Sequence, residues 1–144
     1  MTIETTESQV SYVSRIAMPS CHPRTFWTSA YRGTLGAGFA TAIGAEVAHP
    51  DKQVLSINGD GGFMYNVQEL ATAVKYNIPV VAIVFADGAY GNVRRIQQEL
   101  YDNRIIASNL TNPDFVALAE SFDCAAYRVE TPEEMAKVLP EAFK

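Results

Sequence analysis

Two glycine-rich turns hold the residues whose types and spacing suggest chemistry: Gly59-Asp60-Gly61-Gly62 and Asp87-Gly88-Ala89-Tyr90-Gly91. Glycine lets a backbone approach a phosphate closely, and a helix opening after such a turn directs N–H groups at an anion. Asp60 and Asp87, 27 positions apart, each offer a hard carboxylate oxygen. Mg²⁺ is commonly held by two such protein oxygens completed by phosphate oxygens and water, near-octahedral at about 2.1 Å. The ion would cancel charge between carboxylates and a diphosphate that otherwise repel. Either turn alone is more often a simple turn, and it is the pairing that points to a site.

The flanking segments predict how the turns meet. Val54–Ile57 is a short apolar run, and Pro79–Phe85 is a longer one rich in β-branched residues, as expected of a strand covered on both faces. Between them Val67, Leu70, Ala71 and Val74 recur at helical spacing. Strand, helix and strand form a βαβ unit with a right-handed parallel crossover, which sets the two turns side by side at the strands' carboxyl ends. Residues 36–48, rich in Gly and Ala, predict a closely packed helix. Asn112-Pro113 predicts an N-cap with proline at the first helical position, and Phe115, Leu118, Ala119 and Phe122 supply the stripe of that helix. Cys124–Val129 reads as a strand, and Thr131-Pro-Glu-Glu134 as a capping box opening a last helix. The expected fold is α/β, an open and mainly parallel sheet with helices on both faces. No strand follows the last helix, so the reading is one domain over residues 1–144, lacking its last strand and cut short at one or both ends.

Bulk properties narrow the function classes. Of 144 residues, 48% are hydrophobic and 19% charged, which is ordinary for a globular chain. A net charge of -5 and the lack of any basic stretch beyond Arg94-Arg95 argue against a nucleic-acid partner. No apolar run is long enough to span a bilayer, and the acidic, polar start is unlike a secretory signal, so a cytoplasmic setting is expected. Cys21 and Cys124 lack metal-site spacing, and Cys124 reads as a small buried hydrophobe. His22 and His49, each beside a proline, read as loop residues without a catalytic role.

The run from Gly59-Asp60-Gly61 to Asp87-Gly88-Ala89-Tyr90-Gly91 resembles the signature of thiamine diphosphate enzymes, which opens Gly-Asp-Gly and closes nearly thirty residues later in Asn-Asn. Tyr31-Arg-Gly-Thr-Leu-Gly36 and Gly62-Phe-Met-Tyr-Asn-Val-Gln-Glu-Leu-Ala-Thr-Ala73 resemble the acetolactate synthase and 2-oxoacid decarboxylase branch. The resemblance extends over about residues 10 to 143 and implies a diphosphate-binding domain that takes thiamine diphosphate and Mg²⁺. By position, it implies Asp60 and Asp87 as side-chain metal ligands and Ala89 as a carbonyl ligand. It implies that backbone N–H groups of Gly61 and Gly62, with those near Tyr90 and Gly91, hold the diphosphate. Leu35 falls where the family supports the thiazolium ring, and the Gly33 carbonyl where the aminopyrimidine is accepted.

The chain departs from the pattern where Ala86-Asp87 replaces Asn-Asn, adding a negative charge and removing an amide. The family's activating glutamate belongs to a separate pyrimidine-binding domain, and none of Glu46, Glu69 or Glu99 matches its motif, so no catalytic residue is assigned. The expected partners are a pyrimidine-binding domain or subunit, further copies of the chain, and a 2-oxoacid substrate. A catalytically inert remnant and one subunit of a split enzyme remain alternatives. A dinucleotide-binding domain is the weaker rival. Gly33-Thr-Leu-Gly36-Ala-Gly38 mimics its fingerprint, but Thr41 stands at the third glycine position.

Overall fold

The computed structural model describes residues 1–5, 9–28 and 33–144. In chain order its elements are β1 (Thr2–Thr5), α1 (Gln9–Ala17), β2 (Phe26–Thr28), α2 (Ala37–Ala48), β3 (Val54–Gly59), α3 (Asp60–Phe63), α4 (Glu69–Tyr76), β4 (Val81–Phe85), α5 (Gly91–Leu100), α6 (Phe115–Glu120) and α7 (Pro132–Ala142). The strands form one parallel sheet in the order β2-β1-β3-β4. Winding runs outward from β1 to β2, then returns through α2 to β3 on the other side of β1. The direction therefore reverses between β1 and β3, the kind of crevice where open α/β sheets bind ligands.

Alternation along the strands builds two cores. On one face Val80, Ala82 and Val84 pack against a cluster of Phe39, Ile43, Phe63, Leu70 and Ala73, with Phe115, Phe122 and Cys124 beside it. Phe63 bridges it with edge-to-face contacts, its ring 5.2 Å from that of Phe39 and 6.2 Å from that of Phe115. On the other face Ile3, Leu55 and Ile57 meet Val10, Phe26, Val81, Ile83, Leu139 and Phe143. Helices lie on both faces of the sheet, but β4 itself is only half-buried and its last residue, Phe85, is exposed, so the covering expected of its β-branched run is partial. At the head of α7 the capping box is complete, with Thr131 Oγ1 accepting the Glu134 N–H and the Glu134 carboxylate accepting the Thr131 N–H.

Three sequence expectations shift. In α4 the buried residues are Leu70 and Ala73, while Ala71 and Val74 are exposed, because the helix opens only at Glu69 and its inner face is turned accordingly. The Asn112-Pro113 pair does not cap α6. The cap is Asp114, whose carboxylate accepts the N–H groups of Val116 and Ala117. These bonds, that to Ala117 foremost, hold its pKa below the usual carboxylate value. Cys124–Val129 forms no ladder, although Phe122, Cys124 and Ala126 are less exposed than the residues between them, as in a strand. A cavity of about 860 Å³ is lined by both Val81–Val84 and Cys124–Tyr127, so the segment faces open space where a ladder partner would lie. Half-buried Cys124 packs against the first cluster, and burial pushes its thiol pKa up.

Glu46, on the inner side of α2, is only 4% exposed. One carboxylate oxygen makes no hydrogen bond to any described residue, while the Val54 N–H bonds the side chain. Burial raises its pKa above the ordinary 4.5. The fold thus favours the protonated form, so Glu46 weakens stability as pH rises from its ordinary 4.5 to its raised pKa, and no longer does so below 4.5. Glu46→Gln keeps the acceptor and removes the charge. Urea unfolding should show the variant more stable by about 1 kcal/mol near neutral pH, with the gap closing as pH falls into the acid range.

Candidate functional site

β3 ends at Gly59 and α3 begins at the next residue, so Asp60 sits at the first position of a helix with no linking residue. The residue is 1% exposed. Burial at this depth is tolerable only when the oxygens are paired, and here they are. Oδ1 accepts the Gly61 N–H at 2.7 Å, and Oδ2 accepts the Gly88 N–H at 2.7 Å and the Asn112 Nδ2 amide at 2.5 Å. One carboxylate therefore ties the carboxyl end of β3 to the turn after β4 and to the segment before α6. Beneath it, Asn58 is fully buried and donates to Ser56 Oγ at 3.0 Å and to the Ile83 carbonyl at 3.4 Å, holding the two strand ends together.

The second turn follows β4 directly. Gly88 has a φ of 72°, a backbone state that glycine adopts without strain. Asp87 Oδ1 accepts the Ala89 N–H at 3.3 Å. Partial burial raises the Asp87 pKa, and the neighbouring Asp60 carboxylate raises it further. Ala89 is buried and forms an antiparallel bridge to Asn109. The Tyr90 N–H donates to the Ser108 carbonyl, and the Leu110 N–H to the Gly88 carbonyl. The segment over residues 106–112 thus lies along the turn as a strap. Gln97 of α5 fastens it, donating to the Ile106 carbonyl at 2.9 Å and accepting from Ser108 Oγ at 2.8 Å.

The third part is the turn before α2. Gly33 and Gly36 both have positive φ, 57° and 85°. A Cβ on Gly36 would lie 2.6 Å from the Tyr65 Cβ, so no side chain fits there. Asn66 Nδ2 donates to the Gly36 carbonyl at 2.6 Å, and the Tyr90 hydroxyl makes a long 3.4 Å bond to that of Tyr65. That bond, then partial burial, raises the Tyr90 pKa. Half-buried Leu35 and Gly33 are therefore joined to the Asp60 turn through Asn66, Tyr65 and Tyr90. Tyr31 and Arg32, the start of this motif, lie outside the described residues.

Asp60, Gly61, Gly62, Asp87, Ala89, Tyr90 and Gly91 all gather at the carboxyl ends of β3 and β4, with Gly33 and Leu35 at the neighbouring turn. Two expectations are altered: the Gly61 N–H is already bonded to the Asp60 carboxylate and the Tyr90 N–H to Ser108, and it is the Tyr90 ring that meets the cradle, over Gly61. Sequence reasoning missed Asn112, Asn66, Ser108 and Gln97. Asn66 lies inside the Gly62–Ala73 motif, where its residue type alone does not reveal its partner, the Gly36 carbonyl. Asn112 was concealed by the proline after it, a pair that reads as a helix start. Among the described residues no three His, Cys, Asp or Glu side chains form a metal cluster. A cation here would draw on two carboxylates plus backbone, phosphate and water oxygens, the donor set suited to Mg²⁺. Two neighbouring carboxylates, with the pKa of Asp87 raised by burial first and by Asp60 after it, are what such a cation would relieve. The residues fit the ion.

The profile of one protein family, the thiamine pyrophosphate enzymes' C-terminal TPP binding domain, matches residues 7–144. A probable acetolactate synthase large subunit of Methanococcus aeolicus is 48% identical over 122 residues, 84% of this chain and 20% of the relative. Acetolactate synthase of Bacillus subtilis is 42% identical over 124 residues, covering 86% of this chain and 22% of that protein. Among solved structures, the thiamine diphosphate-dependent 4-hydroxybenzoylformate decarboxylase of Rhodococcus jostii RHA1 superposes with a TM-score of 0.89 at 31% identity, over 98% of this chain and 27% of its own. The chain thus spans about a fifth of the length of the acetolactate synthases it matches.

Close packing of Tyr90 over Gly61 leaves no room for a methyl group. A Cβ there would lie 2.5 Å from Tyr90 Cε1 and 2.9 Å from a Leu110 methyl. Gly61→Ala should therefore lower the urea midpoint by an amount equivalent to about 1–3 kcal/mol, the usual cost of overpacking. An unchanged midpoint would show that the ring is free to move aside.

Proposed function

Since the chain belongs to the thiamine pyrophosphate enzymes as their C-terminal TPP-binding domain, we propose that it grips the cofactor's diphosphate through Mg²⁺ within an acetolactate-synthase-like enzyme acting on 2-oxoacids. The observation that supports this most is the buried Asp60 carboxylate, fixed by Gly61 and Gly88 beside the Asp87 turn at the sheet's carboxyl edge. In this reading Asp60 and Asp87 give side-chain oxygens to the cation, and Ala89 gives its carbonyl. Gly62 and Gly91, in the first turns of α3 and α5, have N–H groups that their own helices leave unbonded and that a diphosphate would accept. Leu35 supports the ring, and Gly33 accepts from it.

The cofactor, once bound, supplies an electron sink for the charge left when CO₂ departs. This chain orients it and neutralises its tail. The activating carboxylate comes from a pyrimidine-binding domain or subunit, and assembly with further copies in the cytoplasm completes the proposal. Both cysteines are free thiols, as a reducing compartment would keep them. The 4-hydroxybenzoylformate decarboxylase and the acetolactate synthases favour lyase or carboligase chemistry on a 2-oxoacid.

Calorimetry on the 144-residue chain should show thiamine diphosphate binding that requires Mg²⁺, with no pyruvate decarboxylation by the chain alone. Absence of any Mg²⁺-dependent binding would sink the proposal in favour of an inert remnant. A second expectation concerns the departure at Asp87. Its charge opposes an anionic ligand, so Asp87→Asn should tighten cofactor binding at fixed Mg²⁺, by roughly the tenfold that about 1.4 kcal/mol represents. Equal or weaker binding by the variant at neutral pH would refute the charge argument.

A further inference from the structure

An ionised carboxylate has about four acceptor positions, two on each oxygen. On Asp60 the Oδ2 pair is filled by the Gly88 N–H and by the Asn112 amide, and one Oδ1 position is filled by Gly61. The amide must present its nitrogen, because an ionised carboxylate only accepts. Apart from the Asp87 carboxyl, which also lies within hydrogen-bonding reach of Asp60, one position is left, on Oδ1. The backbone donors are fixed by their turns, so Asn112 is the side chain that closes Oδ2.

This matters for which cation the carboxylate can serve. Ca²⁺ takes six to eight oxygens at about 2.3–2.6 Å and readily uses both oxygens of one carboxylate, whereas Mg²⁺ demands an octahedron and takes single oxygens. Resting on the reading of this site as a divalent-cation cradle, we propose that Asn112 is a specificity-determining residue. By occupying Oδ2 it confines Asp60 to one-oxygen coordination and so favours Mg²⁺ over Ca²⁺. Asn112 does not touch the ion; it acts through Asp60. The strap that carries it is anchored independently, by Gln97 on Ile106 and Ser108 and by Leu110 on Gly88. Loss of the Asn112 amide therefore leaves the strap in place while reopening Oδ2.

The test is calorimetric titration of the 144-residue chain with MgCl₂ and with CaCl₂, at saturating thiamine diphosphate and constant ionic strength. For Asn112→Ala the Mg²⁺ dissociation constant should rise about tenfold, the usual scale for losing a partner that orients a metal ligand. That for Ca²⁺ should change little, so the Mg²⁺ preference narrows by at least about fivefold. Gln98→Ala, on the exposed side of α5, should leave the ratio unchanged. A residue that merely ties the strap down would weaken both cations by the same factor, and that result overturns the inference. If Asn112→Ala does not fold, as judged by a melting curve, Asn112→Ser gives the same comparison with a side chain too short to reach. Wild-type chain that binds neither cation would remove the cradle reading itself. Binding of both with an unaltered ratio in the variants would remove only the role of Asn112.

Discussion

A single buried charge organises the carboxyl edge of this domain. Asp60 is almost wholly removed from water, and a carboxylate in that position is stable only if donors replace the lost hydration. Its donors come from three segments far apart in sequence: its own turn, the turn after β4 and the strap before α6. Each must be in place for the others to be satisfied. The desolvation that makes Asp60 costly to bury is thus also what makes the surrounding loops settle into one arrangement.

The same edge holds an uncompensated conflict. Asp87 stands near enough to Asp60 for the two charges to oppose one another, and no arginine or lysine is paired with either among the described residues. A purely structural site would gain from replacing one carboxylate by an amide. A cation lying between them would relieve that opposition. Further from the edge the requirements are ordinary: two apolar layers, alternating strands and capped helices.

Much of this was legible in the chain. The βαβ unit could be read because Val54–Ile57 and Pro79–Phe85 are unmistakable apolar runs separated by glycine turns, and spacing alone set Asp60 beside Asp87. The capping box at Thr131 needed only local hydrogen bonding, so it too was visible. β1 and β2 were not. Thr2–Thr5 is mostly polar and only four residues long, yet it lies between β2 and β3, held by ladders on both sides and by Ile3 in the second core. Cys124–Val129 shows the opposite failure: strand-like alternation without a neighbour to pair with. Asn112 was hidden by a strong local rule, since Asn-Pro favours a helix start and only the tertiary arrangement reveals an acceptor 52 positions away.

The absence of any connecting residue between β3 and α3 has a mechanical consequence. A ligand-bearing loop normally has slack, and slack allows a site to open and close on its own. Here the Asp60 carboxylate is geared directly to a central strand that is paired on both sides, to β1 and to β4. It cannot swing without disturbing the sheet. The domain therefore behaves as an anvil and not as a jaw: whatever gating, entry or release accompanies its ligand has to be done by parts that move against it.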